Sequence, residues 1–164
     1  MITKQKGYSL TELMVVVSIM GTVGLVAVPN VVTSVPAYRL RNTASDMCAN
    51  IRNARSLAVK YNRDILVAFN IDGRTYTIDN GAPVPLADGI TFGHGNASVT
   101  AEETGSPIPS DGVSFTDNKE TINTQGLSTP GYVYLQNSKG EAYAVGALVS
   151  GRIVLKQWAQ TAWK

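Results

Sequence analysis

The alternation of hydrophobic and polar positions changes its rhythm along the chain. Leu13–Val28 is an apolar run, interrupted only mildly at Ser18, Gly21, Thr22 and Gly24, and no charge occurs between Glu12 and Arg39. From Arg39 to Tyr61 the apolar residues Leu40, Ala44, Met47, Ile51, Ala54, Ala58 and Tyr61 recur at alternating steps of four and three. That spacing stacks them on one face of a helix. Arg41, Arg52, Arg55 and Lys60 fall mostly off the stripe. No glycine or proline interrupts from Ala37 to Asp72, so run and stripe are expected to form one long helix, bent at Pro29 and Pro36, where a backbone donor is missing.

After Tyr61 the period shortens to two. Ile65–Asn70 and Thr75–Asp79 flank Asp72-Gly73, a hairpin signal. Pro83–Pro109 is rich in Gly, Pro, Ser and Thr and reads mostly as loop, with Ile90–Phe92 a short strand. Further strands are expected at Val113–Phe115, Gly131–Gln136, Ala142–Val149 and Arg152–Trp158, with turns at Asn137–Gly140 and Ser150-Gly151. The fold class is therefore α+β, a long N-terminal helix packed on an antiparallel sheet.

Length and charge sharpen this outline. The 164 residues suffice for one ordinary domain plus an anchoring segment. The sixteen residues from Leu13 to Val28 are marginal for a membrane span, but Val31, Val32 and Val35 extend the uncharged stretch to a sufficient length. Lys4 and Lys6 precede it, which predicts a cytoplasmic N-terminus. A cleaved secretory signal is the rival reading, but Val26-Ala27-Val28-Pro29 lacks the small-residue cleavage pattern, and an uncleaved anchor is preferred. The formal charge of +2 does not by itself imply a nucleic-acid or acidic partner.

Little in the sequence supports catalysis, a cofactor or a metal, and no enzyme activity is expected. Cys48 is alone, which excludes an intrachain disulfide or a multi-cysteine metal site, and it is expected to pack near the apolar stripe. His94 is the only histidine, in a Gly93-His94-Gly95 loop that lacks the third glycine and following helix of a dinucleotide site. No serine or cysteine stands in a nucleophile-elbow pattern.

Glu12 remains as the one charge at the edge of the apolar run. A carboxylate in hydrocarbon costs several kcal/mol unless paired, so such an acid is a functional candidate; a place among lipid headgroups is the plainer alternative. The stretch "KGYSLTELMVVVSIMGTVGLVAVP" resembles the class III signal of type IV pilins and pseudopilins. The resemblance implies a leader, residues 1–7, removed by prepilin peptidase after Gly7, and methylation of the new N-terminal residue, Tyr8. It makes Glu12 the family's glutamate, fifth in the mature chain, and Pro29 its helix-bending proline. Tyr8 departs from the family's usual Phe. Cutting after Gly7 creates an amine that a neighbouring subunit's Glu12 can pair with during assembly, so that pairing sets register as much as affinity.

The later segments "NIRNARSLAVKYNRDILVAFN" and "GYVYLQNSKGEAYAVGALVSGRIVLKQW" resemble one branch of that family, the GspH/FimT-type minor pilins. The resemblance implies a pilin fold, with residues 8–38 as hydrophobic helix and membrane anchor and 39–164 as a periplasmic domain. It implies a single-pass inner-membrane protein, later part of a type IV pilus or type II secretion pseudopilus, whose partners are other pilin or pseudopilin subunits through the N-terminal helix. A DNA-binding subunit acting in uptake, or one contacting a secreted protein, is the alternative. DNA-binding members carry a Gly-Arg-x-Arg pattern; here Gly151-Arg152-Ile153-Val154 has valine at the second arginine. Arg152, Lys156, Trp158 and Lys164 are the candidate nucleic-acid contacts, since aromatics interleaved with cations suit single strands. A last strand with core-facing tryptophans and a solvated lysine edge is the plainer reading and the preferred one. The cations Arg41, Arg52, Arg55, Lys60 and Arg63 could likewise bind phosphate, but solvation, the helix C-terminal dipole or neighbouring subunits account for them more simply.

Overall fold

A computed structural model describes residues 7–102 and 107–164, and of residues 24–33 the backbone alone. The expectations resting on residues 1–6, Lys4 and Lys6 included, and on the side chain of Pro29 lie outside the described residues. The chain divides into two units, Met1–Val35 and Pro36–Lys164.

In the first unit, Gly7–Ser9 is non-helical and helix α1 (Leu10–Tyr61) begins at Leu10. Its large apolar side chains from Leu10 to Val23 are exposed. Two hydroxyls of this stretch bond back within the helix: Ser18 Oγ donates to Met14 O at 2.7 Å and Thr22 Oγ1 to Ser18 O at 2.9 Å. Such back-bonding leaves no unmet polar side chain at those positions. Among the described residues no helix is long and apolar enough to cross a membrane. The expected anchor continues through residues 24–33, whose side chains are not described. The backbone stays helical through both prolines.

In the second unit the same helix turns amphipathic. Leu40, Ala44, Met47, Cys48, Ile51, Ala54 and Ala58 are buried in the main core, as their spacing predicts. Tyr61 is not; it is 57% exposed. The helix ends there because Asn62 takes a left-handed conformation (φ 47°), with Asn62 N donating to Val59 O and Arg63 N to Ala58 O. That pair of bonds is a Schellman closure, which ends the helix at Tyr61.

Strand β1 (Ile65–Asn70) pairs with β2 (Thr75–Ile78) in register Asn70↔Thr75, closing a four-residue loop. The Asp72-Gly73 hairpin thus forms, but not as a two-residue turn: Arg74 supplies the left-handed residue (φ 50°), and Asn70 Oδ1 accepts from Gly73 N at 2.9 Å. β3 (Val84–Pro85) lies in the segment expected to be loop, and β4 (Ile90–Phe92) falls as expected. The strand expected at Val113–Phe115 reduces to one bridge, Val113↔Val133. β5 (Lys119–Ile122) is absent from the strands read from the alternation, and its core-facing positions include the charged Glu120. β6 (Gly131–Asn137), β7 (Ala142–Ala147) and β8 (Ile153–Gln157) complete the strands within a residue or two of the sequence reading.

Among the described residues these strands form two antiparallel sheets, β3-β2-β1-β5 and β4-β6-β7-β8, where the sequence suggested one. Alternation along β1 buries Ile65, Val67 and Phe69 in the main core with the helix stripe. β6 and β7 are instead covered on both faces. Val133, Leu135 and Val145 join the main core, while Tyr132, Tyr134, Ala142 and Ala144 join a second cluster with Ala97, Ala101 and Trp163. Burial on both faces removes the polar alternation that marks a one-sided sheet.

Candidate functional site

Three places held candidate residues. At the N-terminal end, Gly7–Ser9 is non-helical and exposed, with Tyr8 84% accessible. A Cβ added at Gly7 would meet nothing within 4 Å, so no packing among the described residues requires glycine there. Glu12 lies exposed in the first helical turn, where a negative charge is favoured by the helix dipole. It has no hydrogen bond or ion pair among the described residues. Around it Leu10, Leu13, Met14 and Val17 present an apolar surface to solvent. Pro29 is a residue of the same helix.

The second place is a groove of about 800 Å³ between α1 and the start of β8, lined by Arg52, Arg55, Val59 and Lys60 from the helix and by Gly151 and Arg152. Its construction follows from two glycines. Gly151 (φ 72°) and Gly126 (φ 74°) both adopt the left-handed region, and a Cβ on Gly151 would stand 1.7 Å from Gly126 O. Only glycine permits that approach. The carbonyl of Gly126 then accepts from Arg55 Nε at 2.9 Å, and Ile153 O accepts from Arg52 Nη2 at 3.2 Å. Lys60 Nζ lies 5.2 Å from the centre of the Tyr61 ring. The ion pair found among the described residues joins Arg63 to Asp79, away from the groove lining.

The expected nucleic-acid set is not brought together. Arg152 lines the groove, whereas Lys156 donates to Ala101 O at 2.8 Å and lies over the Tyr132 ring, against the second cluster. Lys156 is therefore half-buried rather than a solvated edge. Trp158 and Trp163 pack on each other at 5.3 Å, and Trp163 Nε1 donates to Val99 O at 2.7 Å. The two indoles thus meet edge-on, and Trp163, itself buried, also packs against Tyr134. Lys164 is exposed, and its backbone pairs with Gln157. Arg52, Arg55 and Lys60 were read as a basic helix face; their joining to Arg152 was missed. The offsets of three and four from Arg52 to Val59 mark one helix flank, but nothing local marks what covers it.

Elsewhere the titratable groups are structural. His94 Nδ1 lies 2.9 Å from Ala97 O within its loop. Burial pushes the Cys48 thiol up, against a smaller lowering by Arg52, so thiolate reactivity is suppressed. Glu120 is fully buried: burial raises it to about 7, against the hydrogen bond from Ser128 Oγ to Oε1 at 2.6 Å. Among the described residues no group of three or more His, Cys, Asp or Glu could hold a metal ion.

The geometry defines a helix-and-sheet unit that follows a helical stretch whose large apolar side chains from Leu10 to Val23 are exposed. Residues 2–28 match the prokaryotic N-terminal methylation motif. The fold is shared with the minor pseudopilin EpsH from the type 2 secretion system of Vibrio cholerae. One EpsH structure has a TM-score of 0.51 at 17% identity, covering 71% of this chain and 95% of that one. A second has 0.50 at 16%, covering 80% and 98%. The type IV minor pilin FimU of Pseudomonas aeruginosa aligns with a TM-score of 0.49 at 17% identity, covering 73% and 89%. No curated protein sequence matches the chain. In motif and fold the chain resembles type IV pilin-like minor pilins and pseudopilins.

Proposed function

We propose that this chain is a membrane-anchored minor pilin or pseudopilin, a structural and assembly subunit of a type IV pilus or type II secretion pseudopilus. The observation that carries the proposal is the match of residues 2–28 to the methylation motif, joined to an apolar helical stretch whose large side chains from Leu10 to Val23 are exposed. Prepilin peptidase cuts after Gly7, in a non-helical and exposed segment, and Tyr8 becomes the methylated N-terminus. The hydrophobic helix holds the chain in the inner membrane with the domain in the periplasm, and then packs among the helices of other subunits. Glu12 pairs with the amine of an adjacent subunit, which favours one axial register over others. DNA uptake is the weaker reading, because Lys156 and the tryptophans are engaged away from Arg152.

Intact-mass analysis of the chain purified from membranes tests processing. The expected mass is that of residues 8–164 plus one methyl group. Retention of Met1, or a terminus near Ala27, would overturn the proposal.

A further inference from the structure

We infer that the groove between α1 and the β7–β8 turn is a receptor for an acidic segment of an adjoining filament subunit. The inference rests on the filament reading above and adds a second contact, formed by the domain rather than the apolar helix. Arg52, Arg55, Lys60 and Arg152 face one groove, and none is paired with a carboxylate among the described residues. Four cations held together repel one another, so the arrangement favours an anionic occupant. Two of them are already oriented: the carbonyls of Ile153 and Gly126 fix Arg52 and Arg55 through one N–H group each. The remaining N–H groups of a planar guanidinium suit bidentate carboxylate recognition, with less side-chain freedom lost on binding.

Three observations favour a protein carboxylate over a nucleic-acid backbone. The cations are confined to one groove, because Lys156, the next basic residue along β8, is bonded to Ala101 O. A phosphate backbone would call for a continued track of cations. Val59, 53% exposed, gives the lining apolar surface that a peptide segment can cover. The aromatic pair suited to base stacking, Trp158 and Trp163, is packed on itself.

The test places a photo-crosslinking amino acid at Val59 in the full chain, within the cells that assemble it, and a second at Val17 as a filament control. The expected result is a Val59 adduct whose partner peptide belongs to a filament subunit and contains Asp or Glu at the junction. Its yield should drop about tenfold in the Lys60→Glu, Arg152→Glu double variant, since apposed like charges oppose docking. The Val17 adduct should persist in that variant. A Val59 adduct to nucleic acid, an adduct to a segment without acids, or a yield unchanged by charge reversal would overturn the inference. So would the absence of a Val59 adduct while Val17 still crosslinks. Loss of adducts at both positions in the unreversed chain would overturn the filament reading itself.

Discussion

The two ends of α1 solve opposite problems with one secondary structure. From Leu40 to Ala58 its apolar residues form a stripe that is buried, and its cations occupy the flanks. From Leu10 to Val23 apolar residues surround the axis, and all the large ones are exposed. A stripe matches one partner surface, here the strands that follow it in sequence. An apolar surface on every side needs a solvent or a bundle that is itself apolar. The difference separates the part of the helix that folds this chain from the part available to other molecules.

The largest expected effect on this contrast comes from truncating each half. Ile51→Ala should destabilise the domain by about 2–5 kcal/mol, whereas Val17→Ala should leave it within about 0.5 kcal/mol. Chemical denaturation of the full chain in detergent, followed by the fluorescence of Trp158 and Trp163, measures both, because each tryptophan lies in the domain. Equal losses would erase the distinction.

A second effect arises in the core layer that faces the helix stripe. Glu120 sits opposite Val67, and its carboxyl is raised from 4.5 to about 7 in the fold. The folded state then holds the proton more tightly than the unfolded chain. The resulting stabilisation is fully present below pH 4.5 and is lost as pH rises through about 7. At 1.36 kcal/mol per pH unit this is a loss of about 3 kcal/mol. Glu120→Gln should flatten the dependence, and a variant with the same slope as the parent would assign it elsewhere.

Gly151→Ala is expected to cost about 1–3 kcal/mol, from left-handed strain and the approach to Gly126 O. It should also weaken the docking of Arg55, seen as faster exchange of amides in the last turns of α1. The smallest effect is expected from Arg63→Ala, which removes an exposed ion pair with Asp79 just beyond the helix end. Its thermal midpoint should match the parent's, with any difference vanishing at high salt.

Much of this was legible in the chain, for physical reasons. The stripe from Leu40 to Ala58 was readable because each of its residues obeys one period and one partner surface. β6 and β7 were readable from the turns around them, at Asn137–Gly140 and Ser150-Gly151. The split into two sheets was hidden, since pairing partners such as Val67 and Glu120 are distant in sequence. β5 was hidden by a charge turned inward. The groove was invisible for a related reason: it joins residues about a hundred positions apart through the close approach of Gly126 and Gly151. Strand parity would have grouped Arg152 with Lys156. Arg152, however, precedes β8 and follows a left-handed glycine, so the parity of the strand does not govern its placement.

The central claim concerns Glu12, a charge with no hydrogen bond or ion pair among the described residues. The most direct measurement compares Glu12→Gln with the parent for the fraction recovered in sheared filaments, after confirming equal cleavage at Gly7 and equal membrane content. The account predicts that the variant is cut, stays in the membrane and is depleted from filaments. Equal filament content would contradict it.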